Sequence, residues 1–267
     1  MLDRRAVLAG LTAAPLAACA TGPAGAEREL KLATFNIWHN QGDWPTRQGL
    51  LIEALRAADS DVIGLQEVLE DAALGLPNQA RTLAEALGYE MLFVGVEPDG
   101  SPRRYGNAIL SRLPVLAHKS KKLEPLDDYR TAIRARVDVG GRTVDIVNTH
   151  LAWQPDQTAT RAQQVADLMG WLPRDGTPLA VMGDFNAVQE DAGLAALTAE
   201  RFFSALPRGS AATTLNPARG HEPRVIDHIF AEAAHFRPVS AGLIGDKPTA
   251  GEYPSDHFGV AAVLRLG

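Results

Sequence analysis

The stretch Leu179-Ala-Val-Met-Gly-Asp-Phe-Asn186 runs from an apolar segment through Gly183 into a carboxylate and an amide. Leu179 to Met182 is short, continuously apolar and preceded by Pro178, which suits a buried strand better than a helix. Beyond Gly183, Asp184 and Asn186 stand two apart, so extended backbone turns both side chains to one side and sends Phe185 to the other, into the core. A buried strand thus presents an acceptor beside a donor at its tip. Asp and Asn also begin turns, and the pair taken alone reads equally well that way.

The same pattern recurs outward from this stretch. Leu30 to Trp38 alternates and is rich in strand formers, with Asn36 at its end. A helix is expected from about Thr46, as N-cap, to Ala58, with Leu50, Leu51, Ala54 and Leu55 as its apolar stripe. Asp61 to Val68 is an apolar strand that delivers Glu67 at its far end. Gln79 to Leu87 reads as a helix stopped by Gly88, and Tyr89 to Val94 as a strand. A turn-rich loop carrying Arg103 and Arg104 leads into a strand from Tyr105 to Arg112, and Pro114 makes the next segment an edge or a break. Ala132 to Val139 and Thr143 to Thr149, around Gly140-Gly141, form a hairpin signal that ends at His150. Thr158 to Leu172 is helical in pattern. A short helix near Gly193 to Ala199, a weakly patterned region to Glu222, a strand from Arg224 to Phe230 that contains Asp227, and a last strand from Val260 to Leu266 complete the chain. No repeat or linker occurs after residue 30, which implies one domain over 30–267.

With 46% apolar and 22% charged residues in 267, the composition is that of an ordinary globular chain. Its net charge of -6 supplies no overall basic field for a polyanion, which argues against a processive nucleic-acid binder but leaves room for a nuclease with a local patch or metal ions. Cys19 is the sole cysteine, so no intramolecular disulfide can form. Arg4-Arg5, the apolar stretch Ala6 to Ala18 and the ending Leu16-Ala-Ala-Cys19 read as an export signal, too short to span a bilayer. The ending resembles a bacterial lipoprotein box and the arginine pair a twin-arginine signal. The expectation is a signal over 1–18, a tether over 19–29, lipidation and membrane attachment at Cys19, and a place in the cell envelope on the periplasmic side; a buried free thiol is the other reading of Cys19.

Asn36, Glu67, His150, Asp184, Asn186, Asp227, Asp256 and His257 all fall at or near expected strand ends. Together they supply four carboxylates, two amides and two imidazoles, an inventory suited to holding a hard divalent cation and activating water beside a phosphate. Asp227 lies within an apolar strand, where an unpaired carboxylate is costly, so it needs a partner; His228 is one candidate, although it points to the opposite face.

Thr34-Phe-Asn36, Leu65-Gln-Glu67-Val, Gly106-Asn-Ala-Ile-Leu-Ser-Arg112, Asn148-Thr-His150-Leu, Gly183-Asp-Phe-Asn186, Ile226-Asp227-His-Ile and Ser255-Asp256-His257 resemble, in order, the successive motifs of the endonuclease/exonuclease/phosphatase superfamily. Secreted DNases, abasic-site endonucleases, bacterial sphingomyelinases and inositol-phosphate phosphatases belong to it. The resemblance implies an α/β fold, a four-layer α/β sandwich of two packed mixed β-sheets flanked by helices. It implies Mg²⁺, with Mn²⁺ as the alternative, held mainly by Glu67 with Asn36 beside it and Asp256 assisting. His257, oriented by Asp227, is the implied general base, while some relatives assign that role to the residue matching Asp184. Asp184 and Asn186 would position the water, a phosphate oxygen or a second metal, and His150 would donate to a non-bridging oxygen or the leaving group. Tyr105, Asn107 and Arg130 match positions near the substrate. Trp38, His39 and Trp153 directly follow motif residues and could line the mouth, with rim or core packing an equal explanation.

Asn148-Thr-His150-Leu departs from the abasic-endonuclease branch, and export separates the protein from the chromosome. A Mg²⁺-dependent phosphoesterase of the envelope is therefore expected, a monomer acting on phospholipid or inositol head groups or on nucleic acid. A secreted non-specific endonuclease and a non-catalytic binding lipoprotein on the same fold are the alternatives.

Overall fold

The computed structural model describes residues 28–267; the export signal and Cys19 lie outside the described residues. Near its start the chain contributes β1 (Arg28–Asn36), α1 (Trp44–Ala58), β2 (Val62–Asp71), α2 (Gln79–Leu87), β3 (Glu90–Gly95) and β4 (Arg103–Ser111). Next come β5 (Val115–Lys122), β6 (Thr131–Asp138), β7 (Thr143–His150), α3 (Thr158–Trp171) and β8 (Leu179–Asp184). The remainder forms α4 (Ala195–Thr198), β9 (Phe202–Ser204), β10 (Asp227–Glu232), β11 (Phe236–Ile244) and β12 (Gly259–Leu266).

Two six-stranded mixed sheets result, in the orders β11-β12-β1-β2-β4-β3 and β5-β6-β7-β8-β10-β9. Each contains one parallel pair, β1 with β2 and β7 with β8, joined by a helix; the other pairings are antiparallel. Strand alternation sorts side chains between layers: Leu30 and Leu32 enter the space between the sheets, whereas Ala33 and Phe35 face the helices. The central layer also takes Ile109, Ile133, Ile146, Met182 and Ile229. Leu51, Leu55 and Leu83 of α1 and α2 cover the first sheet, and Val165, Leu168 and Leu197 of α3 and α4 cover the second. Each such side chain contributes roughly 1.5–3 kcal/mol by leaving water. This is the expected four-layer sandwich.

One polar pin crosses the apolar central layer. Asn148 of β7 donates from Nδ2 to the carbonyls of Leu65 and Ala108, 2.9 Å each, and its Oδ1 accepts from Gln66 Nε2 at 2.6 Å. Gly64 makes room for it, since a Cβ there would lie 2.7 Å from Asn148 Oδ1. Two residues of the motif pattern, Gln66 and Asn148, therefore serve the sheet packing.

Several expected boundaries shift. Asp43, not Thr46, caps α1, its carboxylate accepting the Thr46 N–H. Arg28 and Glu29 belong to β1, paired with Leu266 and Arg265, so the domain begins before residue 30. Asp227 opens β10 instead of lying inside a strand. The edge strand β11 is an addition: its exposed face, Pro238 and a bulge between Pro238 and Ser240 hide the alternation.

Candidate active site

The parallel pairs bring their strand ends together across the sandwich. At the end of β1, Asn36 Nδ2 donates to Glu67 Oε1 (3.1 Å) and to Asp184 Oδ2 (2.9 Å), while Oδ1 accepts the N–H of Trp38 (3.0 Å). Its nitrogen thus faces the two carboxylates and bridges the sheets. Glu67 was expected at a strand tip, but β2 continues to Asp71 and Glu67 occupies a bulge, where pairing with β4 jumps from Leu65 to Val68. Its φ of 58° is left-handed, on the order of 1–3 kcal/mol of strain for a residue with a side chain, and the bulge re-aims that side chain.

In the second sheet the turning is done by glycine. Gly183 has φ 148°, and a Cβ there would lie 1.9 Å from the carbonyl oxygen of Thr149 on β7. Asp184 comes next, its Oδ1 accepting the Asn186 N–H at 2.8 Å; Asn186 itself has φ 51°, a conformation asparagine tolerates. The turn reading of this pair is thus realised, and both side chains line the cavity described below. Asn36 Nδ2 donates to Asp184 Oδ2 at 2.9 Å, and the imidazole Nε2 atoms of His150 and His257 stand 3.5 and 3.8 Å from the same oxygen.

His257 Nδ1 lies 2.9 Å from Asp227 Oδ2, so His257, not His228, partners the buried carboxylate. His228 is buried elsewhere against the Ala187 carbonyl. Burial pulls the His257 imidazole down, but Asp227 and Asp184 outweigh it and push it up to about 10. Burial, reinforced by Asp227, raises Asp184 to about 6 against the pull of His257 and the Asn36 bond. His150 is held well below its ordinary value by burial, then by Arg130 and His257. Burial also raises Glu67, against the Asn36 bond, and the Asp256 charge adds to the rise. The surroundings thus favour the protonated form of His257 and the neutral form of His150, and they raise the proton affinity of Asp184.

These groups open onto a cavity of about 460 Å³. Of the expected residues, Glu67, Tyr105, Arg130, His150, Asp184, Asn186 and His257 line it. Asn36 and Asp227 stand one hydrogen bond behind, and Asp256 is held by His221 Nε2 (3.1 Å) and Ser255 Oγ (3.3 Å). Asn107 is placed differently: it is buried, does not line the cavity, and its amide donates to Thr131 O (3.0 Å) and Oγ1 (2.9 Å), tying β4 to β6. Burial, with the Glu67 charge next, drives the Tyr105 phenol far above its usual range. His39 and Trp153 do line the mouth, and His39 packs edge-on to Tyr105 at 5.9 Å. Asp128, Tyr129 and His221 were not anticipated; Asp128 closes a single 3-10 turn capped by Tyr129, His221 sits in an irregular loop, and nothing but adjacency to Arg130 points to the first two.

The residues present fit a hard divalent cation at Glu67. Glu67 and Asp256 are neighbouring carboxylates, and among the described residues neither is bonded to a lysine or arginine. Asp184, Asp227 and His257 also place ligand atoms within 4.8 Å of one another. There the His257 Nδ1 hydrogen bond to Asp227 engages one ring nitrogen, and Asp227 and Asp184 raise the proton affinity of the ring, against which a cation would compete.

Carboxylates without a lysine or arginine partner among the described residues thus lie beside a carboxylate–histidine network at the meeting strand ends of a four-layer sandwich. Residues 33–257 match the model of the Endonuclease/Exonuclease/phosphatase family, and the chain belongs to that family. Among solved structures, the human Nocturnin catalytic domain with bound sulfate superposes with a TM-score of 0.73 at 21% identity, covering 90% of this chain and 94% of that one. The mannosyl-6-phosphatase of Bacteroides thetaiotaomicron gives 0.72 at 21%, covering 88% and 99%. Protein cwh43 of Schizosaccharomyces pombe is 29% identical over 135 residues, 49% of this chain and 13% of that protein. The chain spans less than a third of the length of the curated relatives it matches.

Proposed function

We propose that the protein hydrolyses small phosphoesters with Mg²⁺ or Mn²⁺ held by Glu67 and Asp256, and that Asp184 accepts the proton of the attacking water. The observation that carries this reading is the buried Asp184 carboxylate, with the imidazoles of His150 and His257 within 4 Å of one of its oxygens. Hydrogen bonds from Asn36 Nδ2 and the Asn186 N–H orient the carboxylate, and its elevated proton affinity suits a base working near neutral pH. His257, kept as imidazolium by Asp227, and Arg130, whose buried Nε has no hydrogen-bond partner, face the cavity and would neutralise phosphate oxygens. His150, neutral, would donate a hydrogen bond to an oxygen on which charge develops. A bound cation would polarise the phosphoryl oxygen and lower the pKa of water.

Against a long polyanion, Arg130 is the sole arginine or lysine lining the cavity among the described residues, itself 3.6 Å from the Asp128 carboxylate, and Arg104, Arg112, Arg136 and Arg201 are engaged by carboxylates elsewhere. With a net charge of -6, this favours phosphorylated head groups, sugars or nucleotides over nucleic acid. Lipidation at Cys19 would hold the enzyme at an envelope membrane, facing such substrates. The test is hydrolysis of p-nitrophenyl phosphate, bis-p-nitrophenyl phosphate, inositol phosphates, phospholipids, RNA and plasmid DNA, with Mg²⁺, Mn²⁺ or EDTA. EDTA-sensitive hydrolysis of a small phosphoester is expected; hydrolysis indifferent to EDTA, or confined to DNA, contradicts the proposal.

A further inference from the structure

Two rings at the mouth of the cavity keep most of their surface in solvent: Tyr129 is 66% exposed and Trp153 is 62% exposed. They come from neighbouring loops, Tyr129 from the turn between β5 and β6 and Trp153 from the turn between β7 and α3, and β6 pairs with β7. Neither ring is needed to fill the core, yet the backbone beneath each is fixed. Arg161, buried in α3, donates to the carbonyls of Ala152 (3.2 Å) and Gln154 (2.8 Å), the two residues flanking Trp153. Gln164, fully buried one turn later, accepts the Ala152 N–H at 2.9 Å and donates to Asp128 Oδ2 at 2.6 Å. One buried amide therefore ties the residue before Trp153 to the residue before Tyr129. Tyr129 itself holds a left-handed φ of 56°, a strained state for a tyrosine that persists only where its surroundings impose it.

We infer that Tyr129 and Trp153 form a preorganised aromatic platform that stacks on a ring carried by the alcohol portion of the substrate, with Gln164 as the positioning residue. This rests on reading the cavity as a phosphoester site, and it narrows the substrate to a phosphoester of a ring-bearing alcohol, whether nucleoside, sugar or cyclitol. Ring faces are what aromatic side chains recognise with little entropic cost, because a fixed loop has already removed their freedom. A long acyl chain fits poorly: Val96 is the lone aliphatic residue among those lining the cavity, the rest being charged, polar or ring-bearing. Arg130, directly after Tyr129, would sit at the phosphate while the ring reaches the platform.

Calorimetric binding of adenosine 5′-monophosphate, mannose 6-phosphate, inositol 1-phosphate and glycerol 1-phosphate to the full chain tests the platform directly and separates the ring sources. The wild type should bind at least one ring-bearing ligand roughly tenfold to a hundredfold more tightly than glycerol 1-phosphate. Trp153→Leu and Tyr129→Leu should erase that preference while leaving glycerol 1-phosphate affinity unchanged. In turnover they should raise KM for the ring-bearing ester with kcat preserved, and Gln164→Met should act in the same direction through both loops. Equal affinity for ring-bearing and ring-free ligands in the wild type, or an equal loss for both in the leucine variants, overturns the platform. Because binding needs no turnover, an active enzyme without ring preference refutes the platform alone, and an inactive protein that still prefers rings refutes the hydrolase reading alone.

Discussion

The units β1–α1–β2 and β7–α3–β8 are built alike and finished differently. Each is a parallel strand pair joined by a helix whose fourth residue is a fully buried arginine, Arg47 in α1 and Arg161 in α3. Each arginine pins the loop after the first strand by its carbonyls. Arg47 holds Ile37, Trp38, His39 and Gln41, and reaches across to Pro254. No carboxylate hydrogen-bonds to it, and burial, partly offset by the Asp256 charge, lowers it to about 10. Arg161 holds Ala152, Gln154 and Pro155 and is paired with Asp191 at 2.9 Å.

Through Pro254 the first unit also docks the loop bearing Asp256 and His257, a seat completed by the Ser255 Oγ bond to the Asn36 carbonyl at 2.7 Å. The first unit thus gathers carboxylates that no lysine or arginine among the described residues engages, and the second sets one carboxylate beside two imidazoles. On the proposed reading, two copies of one scaffold divide metal holding from proton transfer, their last residues being turned by different means, a strained bulge at Glu67 and a glycine before Asp184.

The largest effect should come from the second unit. Asp184→Asn keeps the shape and can accept from either Asn36 or the Asn186 N–H but not both, and it removes the proposed base, so turnover of the phosphoester should fall roughly 10²–10⁴-fold while the protein still folds, destabilised by about 1–3 kcal/mol at most. Turnover near the wild-type rate would remove Asp184 from the proton step. The arginine clamps should differ next: Arg47→Met, which leaves five carbonyls without their donor, should cost about 3–5 kcal/mol in denaturant unfolding. Arg161→Met should cost about 1–3 kcal/mol, because Asp191 is partly exposed and water can take over. Equal costs would erase the distinction between the two clamps.

The smallest effect concerns Glu67. Its folded pKa is raised, so the folded state binds more protons than the unfolded one as pH rises through the unfolded value of about 4.3. Stability therefore falls across that window, and Glu67→Gln should stabilise the metal-free protein above it while matching the wild type at lower pH. Denaturant midpoints measured with EDTA from acid to neutral pH check this; a variant destabilised at neutral pH would contradict it.

Much of this division was legible in the sequence because strand periodicity fixes where a chain ends a strand, and Asn36, His150 and Asp184 all occupy such ends. Glu67 was singled out but misplaced, since a bulge leaves no mark in the two-residue alternation. Asn107 was misread because a buried asparagine in a strand serves inter-sheet packing or a pocket with the same residue type. Gln164 and His221 were invisible: a glutamine on a helix and a histidine in an irregular loop acquire meaning when distant loops are brought to them. The edge strand β11 escaped for want of a buried face.

Titration of Mn²⁺ or Mg²⁺ by calorimetry into the wild type, Glu67→Gln and Asp184→Asn tests the division of labour most directly. Glu67→Gln should lose cation binding, whereas Asp184→Asn, though inactive, should keep it close to the wild-type affinity. Binding that survives Glu67→Gln and vanishes in Asp184→Asn would place the cation among Asp184, Asp227 and His257 and contradict the account.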